Sequence, residues 1–124
     1  KMKKTKMLKK NYEFKNVFVK GKYISGEYIE AVIKKNKTTE NLNFLGIAIS
    51  VKIAKAVKRN HIKRLIREVY RLNENRIKTG YSIVFLWKKK QNIINANFEN
   101  VKKDMENIFI KSNILRSNNE ENLD

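Results

Sequence analysis

The sequence predicts a single-domain α+β fold, on three observations. Two short stretches, residues 44–51 and 81–87, alternate large apolar side chains with a period of two, as half-buried strands do. Three others place apolar residues at helical spacing and leave the opposite side polar or charged. At 124 residues the chain has room for one core and no need of a second, and 41% hydrophobic residues support that core even though 33% are charged.

Residues 1–10 are rich in lysine and lead into no continuous apolar segment or small-residue cleavage site, so they are expected to form a basic arm and not a secretory signal. Asn11 is the expected N-cap of a first helix. There Phe14, Val17 and Phe18 recur at i, i+3, i+4, and Gly21 suits the stop. The β-branched and aromatic residues Tyr23, Ile24, Tyr28, Ile29, Val32 and Ile33 predict two strands broken at Ser25-Gly26, and residues 36–43 a polar loop. In the next strand Leu45, Ile47, Ile49 and Val51 make a bulky face, with Phe44, Gly46, Ala48 and Ser50 on a more open one.

Ile62, Leu65, Ile66, Val69 and Tyr70 predict a helix over residues 57–72. After Gly80, Tyr81, Ile83, Phe85 and Trp87 share one face of a further strand. Asn97 caps a last helix to about Ile114, with Phe98, Val101, Met105, Ile108 and Phe109 inward. The folded domain is expected to span residues 11–115, followed by a flexible, largely acidic tail over 116–124.

A formal net charge of +17 exceeds the roughly 2 to 8 that solubility asks of a small domain, and points to a polyanionic partner. Cysteine is absent, which removes disulfides, thiolate metal sites and thiol nucleophiles and agrees with a cytoplasmic setting. The longest uncharged runs, residues 41–51 and 79–87, are shorter than the roughly 18 apolar residues of a membrane span, so no membrane is expected. Intrinsic catalysis finds no support. The four glycines form no phosphate loop, His61 is the only histidine, and Glu13, Glu27, Glu30, Glu68 and Glu74 are scattered. No protein metal site is expected.

The informative stretch is the central helix. At about 100° per residue, Arg59, Asn60, Lys63, Arg64, Arg67 and Arg71 fall in one arc opposite Ile62, Leu65 and Val69. Between Lys52 and Arg71 eight cations face a single acid, Glu68, so pairing within the helix cannot neutralise them. Arginine forks suit phosphate oxygens, and asparagine reaches base edges or sugars. A folded RNA fits this surface. Phe14, Phe18 and Tyr28 are candidates either for base stacking or for the core.

The segment Lys52-Ile53-Ala54-Lys55-Ala56-Val57-Lys58-Arg59-Asn60-His61-Ile62-Lys63-Arg64-Leu65-Ile66-Arg67 resembles the signature of the protein subunit of bacterial ribonuclease P. Leu8-Lys9-Lys10-Asn11 with Phe14, Val17, Phe18 and Gly21, and residues 44–50, extend the resemblance over roughly residues 8–112. Two positions depart from the family pattern: His61 stands where an arginine is usual, and Ala54 where a glycine is usual. His61 supplies less fixed charge than arginine, and Ala54 a less permissive backbone than glycine.

The resemblance implies an α-β sandwich of order αβββαβα with a left-handed βαβ crossover around the basic helix. It implies that a partner RNA cleaves precursor tRNA at the 5′ end, with magnesium bound mainly through that RNA, while the protein assists and needs no obligate protein partner. It assigns Lys52, Lys55, Arg59, Asn60, His61, Lys63, Arg64, Arg67 and Arg71 to the RNA subunit. To a cleft for the single-stranded 5′ leader it assigns Phe14, Phe18, Tyr28, Ala48 and Ser50, together with Lys63 and Arg67. Two other classes share the charge: a pure RNA-binding module such as a ribosomal protein, and a DNA-binding helix, for which no paired recognition helix is visible.

Overall fold

The computed structural model describes residues 2–117. Its strands are β1 (Thr5–Met7), β2 (Lys22–Ser25), β3 (Ile29–Lys35), β4 (Asn43–Ala48) and β5 (Tyr81–Trp87), and its helices α1 (Asn11–Lys20), α2 (Ala56–Asn73) and α3 (Phe98–Lys111). The strands form one mixed sheet in the order β1-β4-β5-β3-β2. β4 and β5 run parallel, joined through α2, and β3 is antiparallel to both β5 and β2.

Period-two alternation divides the sheet into two faces. Ile29, Ala31 and Ile33 of β3, Leu45 and Ile47 of β4, and Ile83, Phe85 and Trp87 of β5 all point to one side. There they meet Ile62, Ile66, Val69 and Tyr70 of α2 and Val101, Met105, Ile108 and Phe109 of α3. Phe85 and Phe109 meet edge to face, centroids 6.1 Å apart. The other face carries Val32 and Val84, covered by Val17 of α1, with Phe14, Phe18, Leu8, Ala48 and Leu86 around them only half-buried.

The expected basic arm is in part a strand. β1 pairs in parallel with β4, and its approach is fixed by the buried Glu74 carboxylate, which accepts the Lys3 and Lys4 N–H groups at 3.1 Å each. Thr5 Oγ1 lies 2.9 Å from the Tyr70 hydroxyl, which also accepts from Asn43 Nδ2. The element order is therefore βαβββαβα. Three residues are too few to display a period, and the partner carboxylate is some 70 positions away, so local pattern could not disclose this strand.

Other boundaries also move. Lys10, not Asn11, is the N-cap of α1, because Glu13 Oε1 reaches back to the Lys9 and Lys10 N–H groups at 3.0 and 2.8 Å. β4 ends at Ala48 and not at Val51, which is 72% exposed. Residues 50–53 turn instead, with Ser50 Oγ accepting the Lys52 N–H. Asn97 caps α3 as expected, accepting from the Asn100 N–H, but the helix stops at Lys111 and Phe98 is 38% exposed. Of the expected tail, Arg116 is tied down, donating its N–H to the Arg76 carbonyl and Nη1 to the Asn75 carbonyl. Residues 118–124 lie outside the described residues.

Candidate nucleic-acid interface

An amphipathic helix seated on a sheet must turn its polar side outward, and α2 does so. Ile62, Ile66, Val69, Tyr70 and Asn73 are buried, while Asn60, His61, Arg64, Arg67 and Arg71 are exposed and Arg59 and Lys63 are half-buried at the margin. Lys52 and Lys55, in the segment entering the helix, are exposed, as is Lys58. The first turn has no acidic residue and its N-cap, Lys55, makes no side-chain cap, so the positive end of the helix adds to these lysines.

Not every cation of this surface is equally free. Arg59 Nη1 donates to the Ala54 carbonyl at 2.7 Å, so this arginine braces the entry loop that carries Lys52 and Lys55. Arg71 makes a two-point contact with Glu68, Nε and Nη2 donating at 3.0 and 2.7 Å. The Arg71 hydrogen bond holds the Glu68 carboxyl below its usual range, and the same bond raises Arg71. Lys63, Arg64 and Arg67 are left as the side chains along the middle of the arc, with Asn60 among them. Spacing along a helix cannot reveal which arginine folds back on a carbonyl.

The expected aromatic cleft assembles in part. On the opposite sheet face, Phe14 and Phe18 of α1 line a hollow of about 340 Å³ whose floor is Ile47 and Ala48 of β4. Gly46 makes this possible, since a Cβ there would lie 2.5 Å from Phe14 Cε1. Ser50, Lys63 and Arg67 are not among its lining residues, because β4 has ended by Ser50 and α2 packs against the other sheet face.

Tyr28 belongs elsewhere. Its ring stacks on Trp87, centroids 5.8 Å apart and 10° between planes, on the side of the sheet that α2 and α3 cover. The cause is the turn before β3. The buried Asp104 carboxylate accepts the N–H groups of Glu27, Tyr28 and Ile29 at 2.7, 2.8 and 2.6 Å, and this turn breaks the alternation that would carry Tyr28 to α1. Burial raises the Tyr28 phenol, and more distantly the nearby Glu27 charge does so too. Leu8, Leu86 and Gly46, which the sequence did not single out as site residues, border the α1 cluster instead.

No group of three or more His, Cys, Asp or Glu among the described residues is placed to hold a metal ion. No helix among them is long and apolar enough to cross a membrane.

The sequence and the fold are similar to those of known proteins. The family model described as Ribonuclease P matches residues 2–113. A ribonuclease P protein component of Clostridioides difficile (strain 630) is 38% identical over 111 residues, covering 89% of this chain and 94% of its own. One from Clostridium botulinum (strain Okra) is 37% identical over 108 residues, 86% of this chain and 94% of its own. Among solved structures, the RNase P protein from Thermotoga maritima superposes with a TM-score of 0.74 at 30% identity, over 86% of this chain and 96% of that one. The Staphylococcus aureus RNase P protein shares the fold, with a TM-score of 0.74 at 24% identity over 89% and 97% of the two chains. A family match spanning nearly the whole described chain, with relatives above 30% identity along it, establishes that this chain belongs to the ribonuclease P protein family.

Proposed function

We propose that the chain is the protein component of ribonuclease P, acting in tRNA 5′ maturation by binding the catalytic RNA subunit and the 5′ leader of precursor tRNA. The observation that carries this is the one-sided cation array of α2, held over a buried apolar side. A rigid array of this kind meets a folded RNA with its charges already placed. Lys52, Lys55, Lys63, Arg64 and Arg67 take phosphates, Asn60 a base edge or sugar, and His61 a single hydrogen bond; Arg59 holds the entry loop in place.

The hollow under Phe14 and Phe18 suits unpaired leader nucleotides, whose bases stack on half-buried rings above a small residue, Ala48. Catalysis belongs to the RNA. Magnesium would be held by RNA phosphates and would supply charge stabilisation for the cleavage there. The chain's own part is to bind, orient and neutralise, in the cytoplasm and with no obligate protein partner.

The test adds the purified chain to a bacterial ribonuclease P RNA and precursor tRNA at low magnesium. Release of the leader is expected only when RNA and protein are both present. Cleavage by the protein alone, or no stimulation of the RNA, would overturn the assignment; binding without stimulation would point to a ribosomal-type binding module.

A further inference from the structure

The hollow under Phe14 and Phe18 has a larger neighbour. A groove of about 920 Å³ runs along the other flank of α1, walled on its far side by residues 36–39 after β3. Its lysines are Lys15, Lys20, Lys34, Lys35 and Lys37, and its one acid is Glu13, whose carboxylate is engaged by the Lys9 and Lys10 N–H groups. Two aromatic rings line it. Tyr12 stands 68% exposed on the rim, and Phe44 is half-buried at the edge of β4.

Neither wall is loose. Lys34 Nζ donates to Asn16 Oδ1 at 2.8 Å, joining β3 to α1, and Asn36 bonds Ser82 across the floor and the Gly80 carbonyl behind it. The shape therefore stands ready before anything binds. A solvated lysine surface would account for the charge alone, but not for a preformed trough with an unburied tyrosine at its rim.

The geometry points to this groove as a second RNA path, taking a single-stranded stretch of RNA separate from the one at Phe14 and Phe18. Charge complementarity selects a polyanion, and the two rings select one that carries planar bases, which an acidic peptide or a phospholipid headgroup lacks. The lining contains lysine and no arginine. Point charges without a planar fork accept phosphates in any register, so the groove tolerates sequence variation in its occupant. Helix α1 becomes a ridge between two tracks, with Lys15 bordering both. This extends RNA binding to a surface that the α2 array does not share.

The experiment uses the full chain and a short oligouridylate carrying 4-thiouridine, with crosslinks mapped by mass spectrometry. Crosslinks are expected at Tyr12, Phe44 or residues 35–39, and they persist when Phe14 and Phe18 are both changed to leucine. Tyr12→Leu should weaken the oligomer by about fivefold or more. The Lys35→Ala, Lys37→Ala pair should flatten the salt dependence of binding by about 1.4 in logarithmic slope. All five positions changed are exposed or half-buried, and an unchanged melting curve by circular dichroism confirms the fold of each variant. Crosslinks confined to Phe14 and Phe18, binding indifferent to these changes, or equal competition by polyglutamate or phosphatidylglycerol vesicles would overturn the second path. Failure here leaves stimulation of the RNA subunit intact, whereas failure of the α2 array removes it.

Discussion

The two faces of the sheet are built to different ends. Beneath α2 and α3, Phe85, Phe109, Ile66 and Met105 are fully buried and the packing is closed. Beneath α1, only Val17, Val32 and Val84 reach that state, and Phe14, Phe18 and Leu86 keep part of their surface in water. Apolar area left wet forgoes about 25 cal/mol per Å² of stabilisation. The first face therefore holds the fold together, and the second leaves its rings partly open to solvent.

The sharpest way to break this contrast is to truncate one ring on each face. Phe85→Ala should cost about 3 to 5 kcal/mol in chemical denaturation, because it empties a closed core. Phe14→Leu, a milder change at a half-wet site, should cost less than about 1.5 kcal/mol. Similar losses at the two positions would show that α1 also closes a true core.

Changing Lys63, Arg64 and Arg67 together to alanine should leave the melting temperature unchanged or slightly higher, since like charges are removed. The slope of log affinity for the RNA subunit against log salt should flatten by up to about 2.7. A lowered melting temperature with an unaltered slope would make these side chains part of the scaffold and not of the contact.

Gly46→Ala tests the α1 face from its floor. The new Cβ drives the Phe14 ring upward, at a cost of about 1 to 3 kcal/mol, and should weaken precursor tRNA more than mature tRNA. Equal losses for both would detach Phe14 from the leader.

The smallest effect is at the start of α1. Backbone N–H groups of Lys10 and Lys9 hold the Glu13 carboxyl below its usual value, so the folded state is favoured by its charged form. That contribution is present above the ordinary carboxylate range and is lost as pH falls through the lowered value. Glu13→Gln should thus melt slightly below the parent at neutral pH, and the two curves should converge in acid.

Much of this arrangement was legible in the sequence, and the illegible parts share a cause. Period two in Leu45, Ile47, Ile83 and Phe85 disclosed the sheet faces, and the 3.6-residue spacing of Ile62, Ile66 and Val69 disclosed the cationic side of α2. These are repeats within one element. What escaped depends on a distant partner: β1 on Glu74, the flip of Tyr28 on Asp104, the engagement of Arg59 on a carbonyl in the loop before its helix. The groove beside α1 escaped for the same reason, since Tyr12 and Phe44 are brought together only by the packing of helix on sheet.

Helix α2 is fastened at both ends. Arg59 grips the loop at its start, and beyond its last turn Glu74 grips the backbone of Lys3 and Lys4. Eighteen residues make a rod about 27 Å long. A rod clamped in this way has already given up its bending and fraying before any RNA arrives, so association loses less motional freedom than a floating helix would. Loosening either clamp should therefore appear first as weaker docking, even where the rod itself stays wound.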